Sequence, residues 1–189
     1  MKIWLVIGVL FLLPFLAFCQ EKEKERAGFR SIVAIGAIGG AERTNFLCQY
    51  SAGLRFDRYF AGVGIGFDSY RFNTIPVFAD WRINFTNKKV LFVYGNIGTN
   101  ITIGSKNYKE DFQTTKIRPG LYTDAGFGYR IQLPKSNVIS LSVGHSFKKL
   151  TQEQTFTYQC GLVPCEPTTD TYNYKFNRLI VKAGWEFGK

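Results

Sequence analysis

Three sets of residues in this 189-residue chain could do chemistry, and each needs different surroundings. The first is an ionisable set: Arg55, Asp68, Asp80, Arg82, Arg118, Asp124, Arg130, Arg178, Lys182 and Glu186. Its members interrupt segments that are otherwise apolar or glycine-rich, so the chain must enclose them together and pair them. Isolated burial of a charge costs several kcal/mol. The second is His145-Ser146, the one histidine beside a hydroxyl, which is raw material for acyl transfer if a base can reach a nucleophile. The third is Cys160 and Cys165, which bracket Gly161-Leu162-Val163-Pro164. In an oxidising compartment such a pair forms a small loop-tightening disulfide of modest stabilising effect, because the closed loop is short. No phosphate loop, nucleotide fingerprint or metal-ligand spacing accompanies these sets, so no cofactor or metal is expected.

The elements that position these residues are strands. From Phe29 onward the period is two. Ala61, Val63, Ile65 and Phe67 alternate with Gly62, Gly64, Gly66 and Asp68, and Val77, Ala79, Trp81, Ile83 and Phe85 alternate with Phe78, Asp80, Arg82 and Asn84. The pattern predicts eight strands, near 28–38, 45–56, 59–70, 75–86, 89–101, 117–132, 137–150 and 172–187, with ten as the alternative count. Segments of about ten residues, apolar on one face and small or charged on the other, are the pattern of a closed membrane barrel. Eight strands leave an interior just wide enough for side chains to fill. A packed salt-bridge lumen is therefore expected, with glycines at 62, 64, 66, 126 and 128 making room beside bulky Arg and Tyr side chains. By the same parity His145 falls on the lipid face with Ile139, Leu141 and Val143, and Cys48 with Phe46 and Tyr50.

The ends of the chain and its connections add direction. Residues 1–19 read as a cleaved secretory signal: Lys2, then an apolar run from Ile3 to Phe18, then the polar start at Gln20. Bulky Phe18 before Cys19 argues against a lipid anchor there. Residues 20–27 read as a short periplasmic tail, and 28–189 as the barrel. Short connections (Asp57-Arg58, Thr86–Lys88, Leu133–Ser136) alternate with longer ones (Gly39–Thr44, Arg71–Thr74, Ile103–Lys116, Thr151–Thr171). Outer-membrane barrels keep short turns in the periplasm and long loops outside. The excess of 24 Lys and Arg over 14 Asp and Glu reads first as a surface that is simply basic, with an anionic partner as the alternative. A secreted chain does not meet nucleic acid, which leaves the phosphate-rich head groups of outer-membrane lipid.

The final strand sets Leu179, Val181, Ala183, Trp185 and Phe187 on one face, and its aromatic ending resembles the signal read by the barrel assembly machinery. With Arg71-Phe72-Asn73-Thr74-Ile75-Pro76-Val77-Phe78-Ala79-Asp80-Trp81-Arg82 and the glycine-rich 61–67 segment, the mature chain resembles the outer-membrane β-barrel domain family common in Bacteroidetes, related in architecture to OmpX-type and OmpA-type barrels. The resemblance spans about 28–187. It implies an all-β, closed antiparallel barrel in the Gram-negative outer membrane, and it implies little about activity. The expectation carried forward is a monomeric, non-catalytic barrel acting in membrane structure or surface interaction through its loops. A lipid A-modifying hydrolase using His145 and a narrow pore or small-ligand carrier are the alternatives. Eight-stranded lipid A deacylases place His and Ser two apart on one face, whereas His145 and Ser146 are adjacent and should point apart.

Overall fold

β-Branched and aromatic side chains on alternate positions suit a pleat covered on one side, and glycine opposite them lets neighbouring backbones approach. The computed structural model describes residues 27–40, 44–69, 73–85, 90–103, 108–110, 113–134, 137–156, 159–160, 163–164 and 167–188. Its strands are β1 (Gly28–Gly39), β2 (Thr44–Phe56), β3 (Tyr59–Ser69), β4 (Asn73–Asn84), β5 (Leu91–Thr102), β6 (Tyr108–Glu110), β7 (Gln113–Arg118), β8 (Gly120–Gln132), β9 (Val138–Phe156), β10 (Gln159–Cys160), β11 (Val163–Pro164) and β12 (Thr168–Phe187). The expected signal segment and residues 20–26 lie outside the described residues, as does the expected Cys160–Cys165 bridge, since of the two cysteines only the Cys160 backbone is described.

One sheet runs β12-β1-β2-β3-β4-β5-β8-β9-β7-β6, and β12 pairs again with β9. That second pairing closes a ring of eight antiparallel strands: β1, β2, β3, β4, β5, β8, β9 and β12. On one side of β12 the ladder runs from Ser31↔Phe187 to Gly39↔Leu179. On the other it runs from Val138↔Glu186 to Phe156↔Thr168. The eight-strand count holds, and the ten-strand alternative does not describe the wall. The chain reverses between β2 and β3 through Asp57-Arg58, where Asp57 takes φ 45°. Positive φ in a two-residue hairpin matches the twist of its flanking strands.

The barrel is apolar outside and polar within. Val63, Phe127, Leu179, Val181 and Trp185 are exposed on its outer surface, while Asp68, Asp80, Asp124, Lys148 and Glu186 are buried. This inversion of a soluble core is stable only where the outside is hydrocarbon, and closure leaves no wall strand with unpaired backbone groups facing lipid. Aromatics gather at the turn end of the outer surface: Phe29, Tyr59, Phe85, Tyr129, Trp185 and Phe187 are all exposed there, as an interfacial girdle requires. Inside, glycines give way to rings. A Cβ on Gly64 would lie 2.5 Å from the Phe78 ring, and one on Gly128 would lie 2.2 Å from the Phe92 ring. The sequence assigned this room to Arg and Tyr side chains; at both positions a phenylalanine fills it.

Strand length departs from expectation at one side of the ring. β9 has 19 residues and β12 has 20, against 11 to 13 for β1, β2, β3, β4, β5 and β8. Of what reads as long loop in Thr151–Thr171 and Ile103–Lys116, residues 151–156, 168–171, 108–110 and 113–116 are therefore continued sheet. β9 and β12 stay paired to Phe156↔Thr168, and β7 and β6 add to the upper part of β9. Beyond the membrane both faces meet water, so the apolar alternation that marks strands in the wall disappears while the ladder hydrogen bonds continue.

The close approach of Gly128 to Phe92 sets a stability expectation. Gly128→Ala should cost about 1–3 kcal/mol through overpacking. Gly39→Ala, whose Cβ would meet its nearest atom at 3.9 Å, should stay within about 0.5 kcal/mol. Urea unfolding of the detergent-folded barrel, followed by the heat-modifiable shift in gel migration, measures both. Equal midpoints would mean that Phe92 does not pack on Gly128.

Candidate functional site

The lumen is built from side chains at every second position of the eight wall strands. At its turn end Arg82 and Arg130 share Glu186: Arg130 Nε donates to Glu186 Oε1 at 2.9 Å, and Arg82 Nη1 lies 3.5 Å from the same oxygen. Arg82 also grips Asp80, two residues away on the same face, with Nη2 at 2.9 Å and Nε at 3.1 Å. Arg130 donates to Asn84 as well. The Arg130 guanidinium stacks 4.5 Å from the centroid of Phe92. At mid-height Lys182 Nζ donates to Asp124 at 2.5 Å and sits 4.0 Å from the Tyr94 ring centroid. Tyr94 and Tyr122 donate their hydroxyls to Asp124 at 3.0 and 3.3 Å, and Gln49 donates to the Tyr122 hydroxyl at 2.6 Å. Ser51 donates to Asp80 at 2.7 Å. Towards the loop end Lys148 pairs with Asp68, which also accepts from Thr74 at 2.7 Å. Ile38, Leu47 and Ile180 form an apolar cluster with Phe176 packed on it, and Leu47 and Phe176 are the register partners of Asp68 and Lys148.

Among the described residues this network sets Arg82, Arg130, Lys148 and Lys182 against Asp68, Asp80, Asp124 and Glu186, all eight buried. Equal numbers of opposite charges, held at hydrogen-bonding distance, are how a low-dielectric interior tolerates ions. The arrangement fills the space between the strands with side chains that hold one another.

The structure separates the sequence-derived set. Asp68, Asp80, Arg82, Asp124, Arg130, Lys182 and Glu186 lie in the network. Arg55 sits half-buried at the turn-end mouth, where its Nε lies 3.4 Å from the Asp57 carbonyl oxygen. Arg178 is half-buried at the loop-end mouth, its guanidinium 5.9 Å from the Phe176 ring centroid.

Arg118 is a correction. It is exposed and pairs with Glu153 at 2.7 Å above the ring. The cause is a register change at Pro119. β8 pairs Tyr122 with Lys148, whereas β7 pairs Arg118 with Thr151, so four steps on one side match three on the other. A one-residue slip sends every following side chain to the opposite face. Parity counted through Pro119 therefore placed Arg118 inside, and the ladder places it outside. The residue that counting overlooked is Lys148: the parity that puts His145 outside puts Lys148 inside. Tyr94, Tyr122 and Gln49 carried no charge to flag them, yet they bridge the ion pairs.

His145 and Ser146 are not brought together. His145 is exposed on the outer wall opposite Leu179 and Ala125, while Ser146 is fully buried on the lumen side. Cys48 lies on the outer face between exposed Phe46 and Tyr50 and is a free thiol. Among the described residues no group of His, Cys, Asp and Glu is arranged to hold a metal.

No protein-family model and no curated protein matches the chain. Among solved structures, a designed transmembrane β-barrel is similar at 13% identity and TM-score 0.45, covering 89% of this chain and 100% of its own. Outer membrane protein AlkL, solved in lipid bilayers, is similar at 10% identity and TM-score 0.45, covering 90% and 94%. The fold assignment rests on the ladder, which closes β12 onto both β1 and β9. A closed, apolar-sided barrel of this kind is an integral outer-membrane protein.

The lumen network yields a double-mutant test. Asp124→Ala leaves Lys182 buried without its carboxylate and should cost about 3–5 kcal/mol. Adding Lys182→Met should restore much of that loss, because the stranded charge is removed. Urea unfolding in micelles checks the sign; an additive double mutant would mean that the two residues are not coupled.

Proposed function

We propose that this protein is a non-catalytic, monomeric outer-membrane barrel whose working part is the sheet that β9 and β12 carry beyond the ring. The observation that supports this reading is the length of those two strands. A membrane crossing takes about 9–11 tilted residues, and β9 and β12 have 19 and 20. The surplus raises a surface of β6, β7, β9 and β12 well clear of the bilayer. Its inward side carries Ile117, Gln152, Tyr172 and Tyr174, since Ile117↔Gln152 and Gln152↔Tyr172 are register partners. Tyrosine and amide side chains of this kind suit adaptable polar recognition.

The start of β1, the end of β12 and the tight Asp57-Arg58 turn lie at one end and the projecting sheet at the other, which favours an extracellular sheet and a periplasmic start of the barrel. In this reading a signal peptide ending near Cys19 directs export, Trp185 and Phe187 address the barrel assembly machinery, and a Cys160–Cys165 disulfide tightens the tip of the sheet. The Ile75-Pro76 strand with its Asp80–Arg82 pair supports a place beside the OmpX-like barrels of Bacteroidetes. The filled lumen favours this role over a pore. The opposed His145 and Ser146 favour it over a hydrolase.

The experiment compares cells carrying the full chain with cells in which residues 153–171 are replaced by an Asn-Gly turn. The shortened protein should keep its heat-modifiable migration, because the β9–β12 ladder from Val138↔Glu186 to Gln152↔Tyr172 is kept, and should lose retention on immobilised mucin and polysaccharide. Equal retention by both would overturn the surface role. Conductance steps from the folded protein in planar bilayers would favour the pore. A changed lipid A mass profile that reverts in His145→Ala would favour the hydrolase.

A further inference from the structure

The outer face of the barrel changes character over a short distance where β9 meets β12. His145 and Leu179 are register partners, then Phe147 and Asn177, then Lys149 and Lys175. Leu179 is exposed and belongs to the apolar belt. Four residues further along, at about 3.4 Å per residue and a tilt of about 40°, Lys149 and Lys175 stand roughly 10 Å above it. That height is the head-group layer, since the polar zone adds several ångströms to each side of the hydrocarbon core.

Both lysines are exposed. As direct cross-strand partners, their Cβ atoms lie about 4.5–5.5 Å apart, and like charges placed so are mutually destabilising. Among the described residues neither has an ion pair with a carboxylate. The slip at Pro119 adds a third cation to the same face: Arg118 is the partner of Thr151, the next outward position above Lys149. Thr151 in turn donates to Asn173 at 2.9 Å. Above these, Glu153 pairs with Arg118 and faces Lys116 across the ladder, so this upper rim keeps a net positive charge.

We infer that Lys149 and Lys175, with Arg118 at their upper rim, form a binding site for the phosphate groups of an anionic glycolipid in the leaflet around the loop end of the barrel. Two ammonium groups side by side offer charge-assisted hydrogen bonds to one phosphate and relieve their mutual repulsion when it binds. The apolar belt directly below supplies the surface for acyl chains, which a soluble anion would not use. The inference is independent of any ligand of the projecting sheet's inward side.

The test uses the full mature chain folded in uncharged detergent micelles. It is titrated with bisphosphorylated lipid A, with the dephosphorylated form of the same lipid and with inorganic phosphate, and bound lipid is read by native mass spectrometry. The wild type should bind the bisphosphorylated form at least about tenfold more tightly than the dephosphorylated one. K149Q/K175Q should lose about tenfold or more of that affinity, given the contribution of each cation near an anionic surface. K149R/K175R should keep it, and Arg58→Gln, at the opposite end, should change nothing. Heat-modifiable migration verifies that each variant is folded. Equal affinity of wild type and K149Q/K175Q, or equal binding of the two lipid forms, would overturn the site. Competition by millimolar inorganic phosphate to the same extent as by the lipid would overturn its assignment to lipid.

Discussion

A lipid bilayer offers no hydrogen-bond partner to a backbone N–H or C=O, and each unsatisfied group there costs several kcal/mol. The pairing of β12 with both β1 and β9 is the answer this chain gives to that constraint. Once the ring closes, every side chain in the wall must face either lipid or a narrow interior. The outward set becomes Val, Leu, Ile, Phe and Trp. The inward set has to fill a space only about two side chains across, where water is scarce.

That interior accounts for the charge balance. An arginine cannot give up its proton, so Arg82 and Arg130 had to find carboxylates, and Asp80 and Glu186 lie within reach. The aromatic rings of Phe92 and Tyr94 support the cations from one side, and neutral donors such as Ser51 and Tyr122 occupy carboxylate lone pairs that the cations leave free. Glycines at 64 and 128 are the complement of the Phe78 and Phe92 rings, giving up a side chain where a ring needs the volume. The network is thus a scaffold in which charge, aromatic face and empty glycine position are placed together. It holds the strands in register and leaves interaction with the outside to the surfaces beyond the ring.

The projecting sheet and the cationic band at its base arise from two local features. The first is that β9 and β12 continue their ladder after the apolar alternation ends. The second is the one-residue slip at Pro119, which turns Arg118 from the lumen to the outer face. Proline supplies no ladder donor, so a slip falls there with little further loss. Together they give the loop end of the barrel a polar wall above a band of lysines, whereas the described residues of the turn end include the two-residue Asp57-Arg58 hairpin and the aromatic girdle.

How much of this was legible beforehand follows from the period of two. Alternation in Ala61–Phe67 and Val77–Phe85 determined the lumen positions of Asp68, Asp80 and Arg82, and alternation with Ile139, Leu141 and Val143 the outward position of His145. The glycines announced room inside, and the short and long connections announced the two ends. Parity is a local property, however, and it could not survive a register change. Arg118 is therefore misplaced by it, and Lys148, one of two adjacent lysines whose side chains point to opposite faces, is passed over. Strand ends above the membrane were invisible, since water on both faces removes the apolar signal while the backbone ladder persists. Which carboxylate meets which cation was likewise beyond the sequence: Arg130 and Glu186 are far apart along the chain, and only the closing of β12 onto its neighbours brings them within 2.9 Å. The sequence by itself determined which side of the wall most residues occupy, because that depends on neighbours two positions away. The tertiary structure alone decided the pairings and the slip, because these depend on how one strand is set against the next.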